Sequence, residues 1–187
     1  MATSSKRIAL TAVLVAVGAV ARISVGSVTM FVPPPLYAWV IAVGLTETLT
    51  FISGFTLGPV AGFVTGASII VISDIATLPG SWTLPIAIII GLIGVFAAVI
   101  RKLIKQLDFR IMALSSILLT LMSETLQNVA IAVLFNTPII ATIAFGTPTL
   151  IVALANNLIL FPTVGLRVIK MILGSASNGN NTSAIAR

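Results

Sequence analysis

The sequence predicts an all-α membrane protein, a bundle of six transmembrane helices with both chain ends in the cytoplasm. Three observations support this prediction: the composition, the length of the apolar segments and the placement of the cations. Of the 187 residues, 58% are apolar and only 7% are charged, whereas roughly a quarter of the residues of a soluble domain carry charge. The chain is therefore suited to a lipid bilayer as its solvent.

Six apolar segments have the length that a helix needs to cross about 30 Å of hydrocarbon, which is roughly 20 residues. Turn residues or charges separate them, as at Ser53-Gly54 and Pro79-Gly80. The predicted spans are Ile8–Val25, Leu36–Ile52, Leu57–Ile75, Leu84–Ile100, Ile111–Phe135 and Ile139–Leu166. They form one predicted domain, residues 1–173, and the segment 174–187 is expected to be a disordered cytoplasmic tail because it is rich in Ser, Asn and Gly.

The cations predict the orientation, because Lys and Arg near helix ends are retained on the cytoplasmic side. With six spans they collect on one side, before span one, between spans four and five, and after span six. These residues are Lys6, Arg7, Arg101, Lys102, Lys105, Arg110, Arg167 and Lys170. Arg22 is the exception, near the outer end of span one. An odd number of spans would scatter this charge over both sides.

Missing residue types restrict the chemistry. The sequence has no Cys and no His, which removes disulfides, thiol nucleophiles, imidazole bases and the commonest transition-metal ligands. We therefore predict no catalytic residue, metal site or cofactor, no nucleic-acid partner, and no enzymatic activity in this chain. The phosphate-binding pattern G-x-x-x-x-G-K-[ST] is also absent, so this chain itself is not expected to hydrolyse ATP.

Span one carries a stripe of small residues. Ala9, Ala12, Ala16 and Ala19 follow one another at spacings of 3, 4 and 3, which places them on one helical face. Small residues mark helix–helix interfaces in membranes, because lipid provides little hydrophobic drive for association. Two interpretations are open for this face, packing within the monomer and docking of another protein.

Span three carries a second stripe, formed by Gly58, Gly62 and Gly66. Its continuation at steps of four residues reaches Asp74 near the outer end of the helix. Three glycines at this spacing let a neighbouring backbone approach almost to contact, so this stripe predicts packing inside the bundle. Asp74 is expected to pair with Arg22, since both fall near the outer ends of their helices.

Span five has a polar face that lipid would not tolerate. Ser116, Thr120, Glu124 and Asn128 recur at steps of four, and Gln127 lies beside them. An internal hydrogen-bond network around Glu124 is one interpretation. We favour ligand binding, because so many polar groups converge at one depth, and we predict Thr120, Glu124, Gln127 and Asn128 as substrate-binding residues.

Residues from the outer half of other spans are predicted to complete the same pocket, namely Trp82, Thr142 and Phe145. For Trp82, anchoring in the headgroup region is the competing interpretation. The loop from Ser24 to Leu36, with its three prolines, is long enough to form a lid over the pocket. Glu47 in span two fits a structural role and a functional one equally well.

In the order of these features the chain resembles a family, the substrate-binding S components of energy-coupling-factor vitamin transporters. Three features carry the resemblance, the first being Ala12-x-x-x-Ala16 in span one. The second is the run from Leu57-Gly58-Pro59 through Gly62 and Gly66 to Ser73-Asp74, and the third is the six-span chain with a long first outer loop and a basic loop between spans four and five. No signature selects one vitamin, and the absence of His argues against cobalt or nickel as cargo.

The resemblance implies a multi-pass protein of a prokaryotic cell membrane that captures a vitamin or vitamin precursor in an outward-facing pocket. A transmembrane coupling subunit and two cytoplasmic ATPases would be its partners, and the face of Ala9, Ala12, Ala16 and Ala19 would dock the coupling subunit. Two alternatives remain. One is a proton-coupled secondary transporter that uses Glu47 or Glu124, and the other is a structural membrane subunit without transport activity.

Overall fold

Helices account for nearly all of the described chain. The computed structural model describes residues 4–29, 45–77, 79–104 and 106–182. Its helices are α1 Ser4–Thr29, α2 Leu45–Leu57, α3 Pro59–Ala76, α4 Thr83–Leu103, α5 Phe109–Leu134, α6 Ile139–Leu160 and α7 Leu166–Thr182. A π-helical turn, Phe161–Gly165, joins α6 to α7 without a break. The described residues thus form six continuous helical segments and contain no strand.

The helices are compatible with the predicted multi-pass membrane protein. Five segments are long and apolar enough to cross a membrane within the described residues: α1, α3, α4, α5, and α6 with its continuation to Gly174. Residues 36–44 of the predicted second span lie outside the described ranges. Helix α2 covers the rest of that span and continues beyond Ile52 to Leu57, so the turn predicted at Ser53-Gly54 is helical instead.

Three of the observed helices have both boundaries close to the predicted ones. Helices α3, α4 and α5 each begin and end within three residues of the predicted spans. Helix α1 continues four residues beyond Val25, to Thr29, so the segment predicted as the first outer loop begins as helix. The last helix continues to Thr182, into the range predicted as a tail.

Helix α2 is the centre of the bundle. Ten of its thirteen residues are buried, so the other helices enclose it on every side. Phe51 and Ile52 are fully buried, and the Phe51 ring lies 5.0 Å from that of Phe161, centroid to centroid. The apolar core extends from this point to Met112 of α5 and Ile69 of α3.

Two arginines from other helices bind the final carbonyls of α2. Arg7 of α1 donates a hydrogen bond to the carbonyl oxygen of Leu57. Arg101 of α4 donates to the carbonyl oxygens of Phe55 and Thr56 at 2.7 and 2.9 Å. The last carbonyls of a helix lack partners within the helix and carry partial negative charge, which cations there offset. The start of α1 and the ends of α2 and α4 therefore meet at one end of the bundle, here called the basic end.

Near the basic end, α2, α3 and α4 touch through glycines. A Cβ atom built on Gly62 would lie 2.6 Å from the Cα of Gly54 and 2.7 Å from the carbonyl oxygen of Gly94. A Cβ on Gly66 would lie 2.7 Å from the carbonyl oxygen of Ile90. No larger residue fits at Gly62 or Gly66 without separating the helices, so both glycines lie at close helix crossings. Gly58 lies between α2 and α3 with φ of 105°, a conformation that favours glycine.

The π turn between α6 and α7 contains Pro162, which has no N–H to donate and disturbs regular α-helical bonding. The N–H of Leu166 donates to the carbonyl oxygen of Phe161, five residues earlier. A run of buried residues at steps of four passes through the turn. Its members are Ala153, Asn157, Phe161, Gly165 and Ile169. In an unbroken α-helix each such step drifts by about 40° around the axis, and the wider π turn offsets part of that drift.

Candidate binding cavity

A cavity of about 210 Å³ lies in the half of the bundle opposite the basic end. All six helical segments contribute to its wall. The lining residues are Arg22 of α1, Thr46 and Glu47 of α2, Ile70 of α3, Ile90 of α4, Glu124, Gln127, Asn128 and Ile131 of α5, and Gly146, Thr149 and Ala153 of α6. The cavity volume is below the 300–1,000 Å³ that is typical for drug-sized ligands.

The polar face of α5 supplies the largest share of the wall. Glu124, Gln127 and Asn128 line the cavity together, as the sequence predicts. Thr120, one turn nearer the basic end, is fully buried outside the cavity. Its hydroxyl oxygen accepts a hydrogen bond of 2.8 Å from the Nδ2 atom of Asn157. The two interpretations of this face therefore apply to different residues, with the hydrogen-bond network at Thr120 and the cavity wall further along the helix.

Glu47 of α2 and Glu124 of α5 line the same cavity. Glu47 is 9% exposed and lies beside the Asn157 amide. The same Asn157 bonds to Thr120, so this asparagine connects α2, α5 and α6, in agreement with its predicted role between helices. The sequence does not decide the role of Glu47, and the structure places its carboxyl group in the cavity wall.

The predicted pairing of Arg22 with Asp74 is confirmed. The Nη2 atom of Arg22 lies 3.2 Å from Oδ1 of Asp74, and its Nε donates to the hydroxyl of Ser73 at 2.9 Å. Oδ2 of Asp74 accepts a further hydrogen bond of 2.8 Å from Thr83. This group ties α1, α3 and α4 together beside the cavity. Arg22 also lines the cavity, which the sequence does not indicate.

Asn128 depends on a glycine across the cavity wall. A Cβ atom on Gly146 would lie 2.6 Å from Nδ2 of Asn128, closer than two such atoms can approach. The absence of a side chain at position 146 therefore provides the space that the Asn128 amide occupies. Gly146 also begins a series of small or polar residues at steps of three and four, namely Thr149, Ala153 and Asn157. That series is the sequence signal for the α6 part of the wall.

Three predicted pocket residues lie elsewhere. The Trp82 ring packs against Phe135, with 6.5 Å between ring centroids. Thr142 hydrogen-bonds Thr137 at 3.0 Å and the carbonyl oxygen of Pro138 at 3.2 Å, at the start of α6. Phe145 is 87% exposed and points away from the bundle. None of the three is among the residues that line this cavity, and the three prolines at 33–35, proposed as part of a lid, lie outside the described residues.

The alanine face of α1 is largely exposed. Ala9, Ala12 and Ala16 are exposed, whereas Ala19 is buried in the bundle. Ala19 therefore packs within the monomer, in line with the first interpretation of the stripe. The other three leave a shallow apolar surface on the outside of α1, here called the alanine face.

The cavity has no metal-binding arrangement. Among the described residues no group of three or more acidic side chains comes together in a way that could hold a metal ion. The wall combines hydrogen-bonding and charged side chains with three isoleucines.

Comparisons with protein-family models, curated proteins and solved structures found no match for this chain.

Proposed function

We propose that this protein captures a small solute in the cavity and delivers it across the membrane as the substrate-binding subunit of an energy-coupling-factor type importer. The observation that supports capture is the cavity itself, whose wall combines Glu47, Glu124, Gln127 and Asn128 with apolar side chains. Enclosed sites with a few convergent polar groups are the usual form of a small-molecule site. The small volume favours a solute of vitamin-precursor size over a larger molecule.

The proposed orientation follows from the charges and contacts of the basic end. Arg7 and Arg101 meet there at the end of α2, and Lys and Arg near helix ends favour the cytoplasm. With the basic end inside, the N-terminus lies inside and the cavity lies in the outer half of the bundle. Both chain ends are proposed to be cytoplasmic, and the solute would enter from outside.

The alanine face supports the proposed assembly with a coupling subunit and two ATPases. Ala12 and Ala16 have no covering helix among the described residues, and small exposed residues let a partner helix approach closely. The chain lacks a phosphate-binding loop, so a powered importer would need ATPases from other chains. In this proposal the cavity and the alanine face serve separate tasks, solute capture and docking.

Affinity purification of the protein from its native membranes in mild detergent tests the assembly. We expect a multi-span subunit and P-loop ATPases in the eluate, identified by mass spectrometry. Ala12→Trp with Ala16→Trp should release them, whereas Val17→Trp, a bulky change on another exposed side of α1, should not. Recovery of the protein without ATPases from the wild type, or retention of them by the double variant, would contradict the assembly.

Native mass spectrometry of the purified protein tests solute capture. We expect a bound small molecule that is lost when Ala153→Phe fills the cavity from the α6 side. A protein that retains the molecule after this change binds it elsewhere, and the cavity would then not be the capture site.

A second candidate is a proton-coupled transporter, because two carboxyl groups, Glu47 and Glu124, line one cavity. Acidic groups inside a membrane are a common feature of proton relays. Uptake by the purified protein alone in liposomes, driven by an imposed pH gradient and lost in Glu124→Gln, would support this candidate. Uptake that requires ATPases would favour the importer.

A further inference from the structure

The charges that face the cavity are unbalanced. The chain has four acidic residues, and two of them, Glu47 and Glu124, line the cavity. A third, Asp74, lies next to it in the pair with Arg22. The fourth, Asp108, lies near the basic end, where its side chain accepts a hydrogen bond from the N–H of Ile111 at the start of α5.

Arg22 forms its ion pair with Asp74 and not with either cavity glutamate, although its charge also acts on Glu47 at longer range. The Nη2 atom of Arg22 lies 3.2 Å from Oδ1 of Asp74, and the hydroxyl of Ser73 accepts a hydrogen bond from Nε of Arg22. Among the described residues, Arg22 and Asp74 form the one ion pair present. Glu47 and Glu124 are therefore left without a protein cation in ion-pair contact there.

Two carboxyl groups in a desolvated site with no cation in contact are costly to ionise, and a cation that enters between them favours their charged form. We propose that the captured solute is a small organic cation, whose positive centre lies between Glu47 and Glu124. This inference rests on the proposed role of the cavity in solute capture and adds the chemical class of the solute. A zwitterion or an anion would need a free cation in the wall, and Arg22 is paired.

The rest of the wall fits the neutral part of such a molecule. Ile70, Ile90 and Ile131 contribute apolar surface from three helices, while Gln127 and Asn128 can each donate and accept hydrogen bonds. An apolar surface with a few directional groups selects shape in addition to charge. A cation bearing a small ring or branched group with one hydrogen-bonding atom matches this arrangement better than a bare ion does.

Matched pairs of probes that differ mainly in charge test the proposal on the purified full-length protein. Choline is compared with 3,3-dimethylbutan-1-ol, benzylamine with benzyl alcohol, and benzoate serves as the anion. Binding is measured by calorimetry and by the shift of the thermal unfolding midpoint. We expect binding of at least one cation and weaker binding of its neutral partner and of benzoate.

The variants separate charge from fold. In Glu124→Gln and Glu47→Gln we expect cation binding to weaken roughly 10- to 150-fold, the loss that corresponds to one hydrogen bond to a charged group. Asp108→Asn removes one carboxylate far from the cavity and keeps a good N-cap residue, so its binding should equal that of the wild type. Folding of every variant is checked by its unfolding transition without probe.

Each outcome decides one of the two proposals. If neutral probes or benzoate bind as well as the cations, and Ala153→Phe abolishes that binding, the cavity captures solutes and the cation class is wrong. Unchanged cation binding in both glutamine variants also overturns the cation class. If no probe of any charge binds at millimolar concentration, the cation class is overturned for this size of molecule, and absence of any co-purifying small molecule would then count against capture itself.

Discussion

Helices α2, α3 and α4 meet through glycines near the basic end, whereas larger side chains of the same helices line the cavity. At the close contact Gly54, Gly62 and Gly94 bring three backbones together with no room for a methyl group. Further along the same helices, Glu47 and Ile70 replace the glycines and line the cavity. Glycine at a helix crossing allows close backbone contact, whereas a larger residue there, such as Glu47 or Ile70, contributes to the cavity wall.

The difference shows how a bundle can be rigid and hold a cavity at once. In lipid there is little hydrophobic drive between helices, so close backbone packing supplies much of the association energy. Placing most of these glycines near one end concentrates that energy there, which leaves positions toward the other end free to carry polar groups. Five substitutions test this division, and they are given from the largest expected effect to the smallest.

Gly94→Ala should have the largest effect on stability. Its methyl group would meet the backbone of Gly62, so α3 and α4 must separate, and we expect a loss of about 3 kcal/mol, the upper end of the range for overpacking. Thermal or denaturant unfolding in detergent micelles measures it. Gly174→Ala is the matched control because no atom lies within 4 Å of a Cβ there, and it should be neutral or slightly stabilising. Equal stability of the two variants would show that the glycine contact is not tight.

Asp74→Asn breaks the ion pair beside the cavity. Removing one partner of a buried pair costs roughly 3–5 kcal/mol, and we expect about 2–3 kcal/mol here because the Arg22 side chain is 31% exposed. The freed Arg22 can then neutralise a cavity carboxylate, so cation binding should weaken as well. A double-mutant cycle with Arg22→Gln measures the coupling. Additive effects on the unfolding free energy would mean that the pair contributes nothing.

Gly146→Ala should affect binding more than stability. The added methyl group displaces the Asn128 side chain from the wall, and the loss of one hydrogen bond corresponds to solute binding that is about tenfold weaker. Calorimetry with the best-binding probe measures the change. Gly26→Ala is the control on α1, where a Cβ would be 3.4 Å from Thr77, an ordinary contact. If Gly146→Ala binds as the wild type does, Asn128 does not contact the solute.

Arg7→Gln and Arg101→Gln should have the smallest effects. Each removes a cation from the last carbonyls of α2, and both side chains are accessible at the surface, so we expect about 0.3–1 kcal/mol for each. Lys102→Gln controls for the loss of one positive charge at the same end. Cation binding in the distant cavity should stay unchanged in all three variants, and a change there would mean that the two halves are coupled.

The fold class and most of the helix limits follow from the sequence because apolar segment length is a local property. The Arg22–Asp74 pair and the glycine packing could also be predicted, since helix alternation brings outer ends together and small residues mark close crossings. Glu124, Gln127 and Asn128 were predictable as one polar face for the same reason, a repeat of four residues within one helix.

Residues that come together across helices could not be assigned from the sequence. Phe145 and Gly146 are neighbours in the chain, yet one faces outward and the other lines the cavity, because the rotation of α6 is set by packing against α5. Thr120 belongs to the polar face of α5, but the Asn157 amide covers it. The wall residues Ile70 and Ile90 carry no local signal, since isoleucine is common throughout the spans.

The number of residues in the π turn at Phe161–Gly165 determines which side of α7 packs against the bundle. Deleting one residue from the turn would rotate everything after it by about 100° and shift it by about 1.5 Å. Ile169, now fully buried, would turn away from the core, although no core side chain had been altered. Substitutions within the turn change side chains alone, whereas insertions and deletions there change the side of α7 that meets the protein. We expect natural variation in this segment to alter residue identity while it preserves residue number.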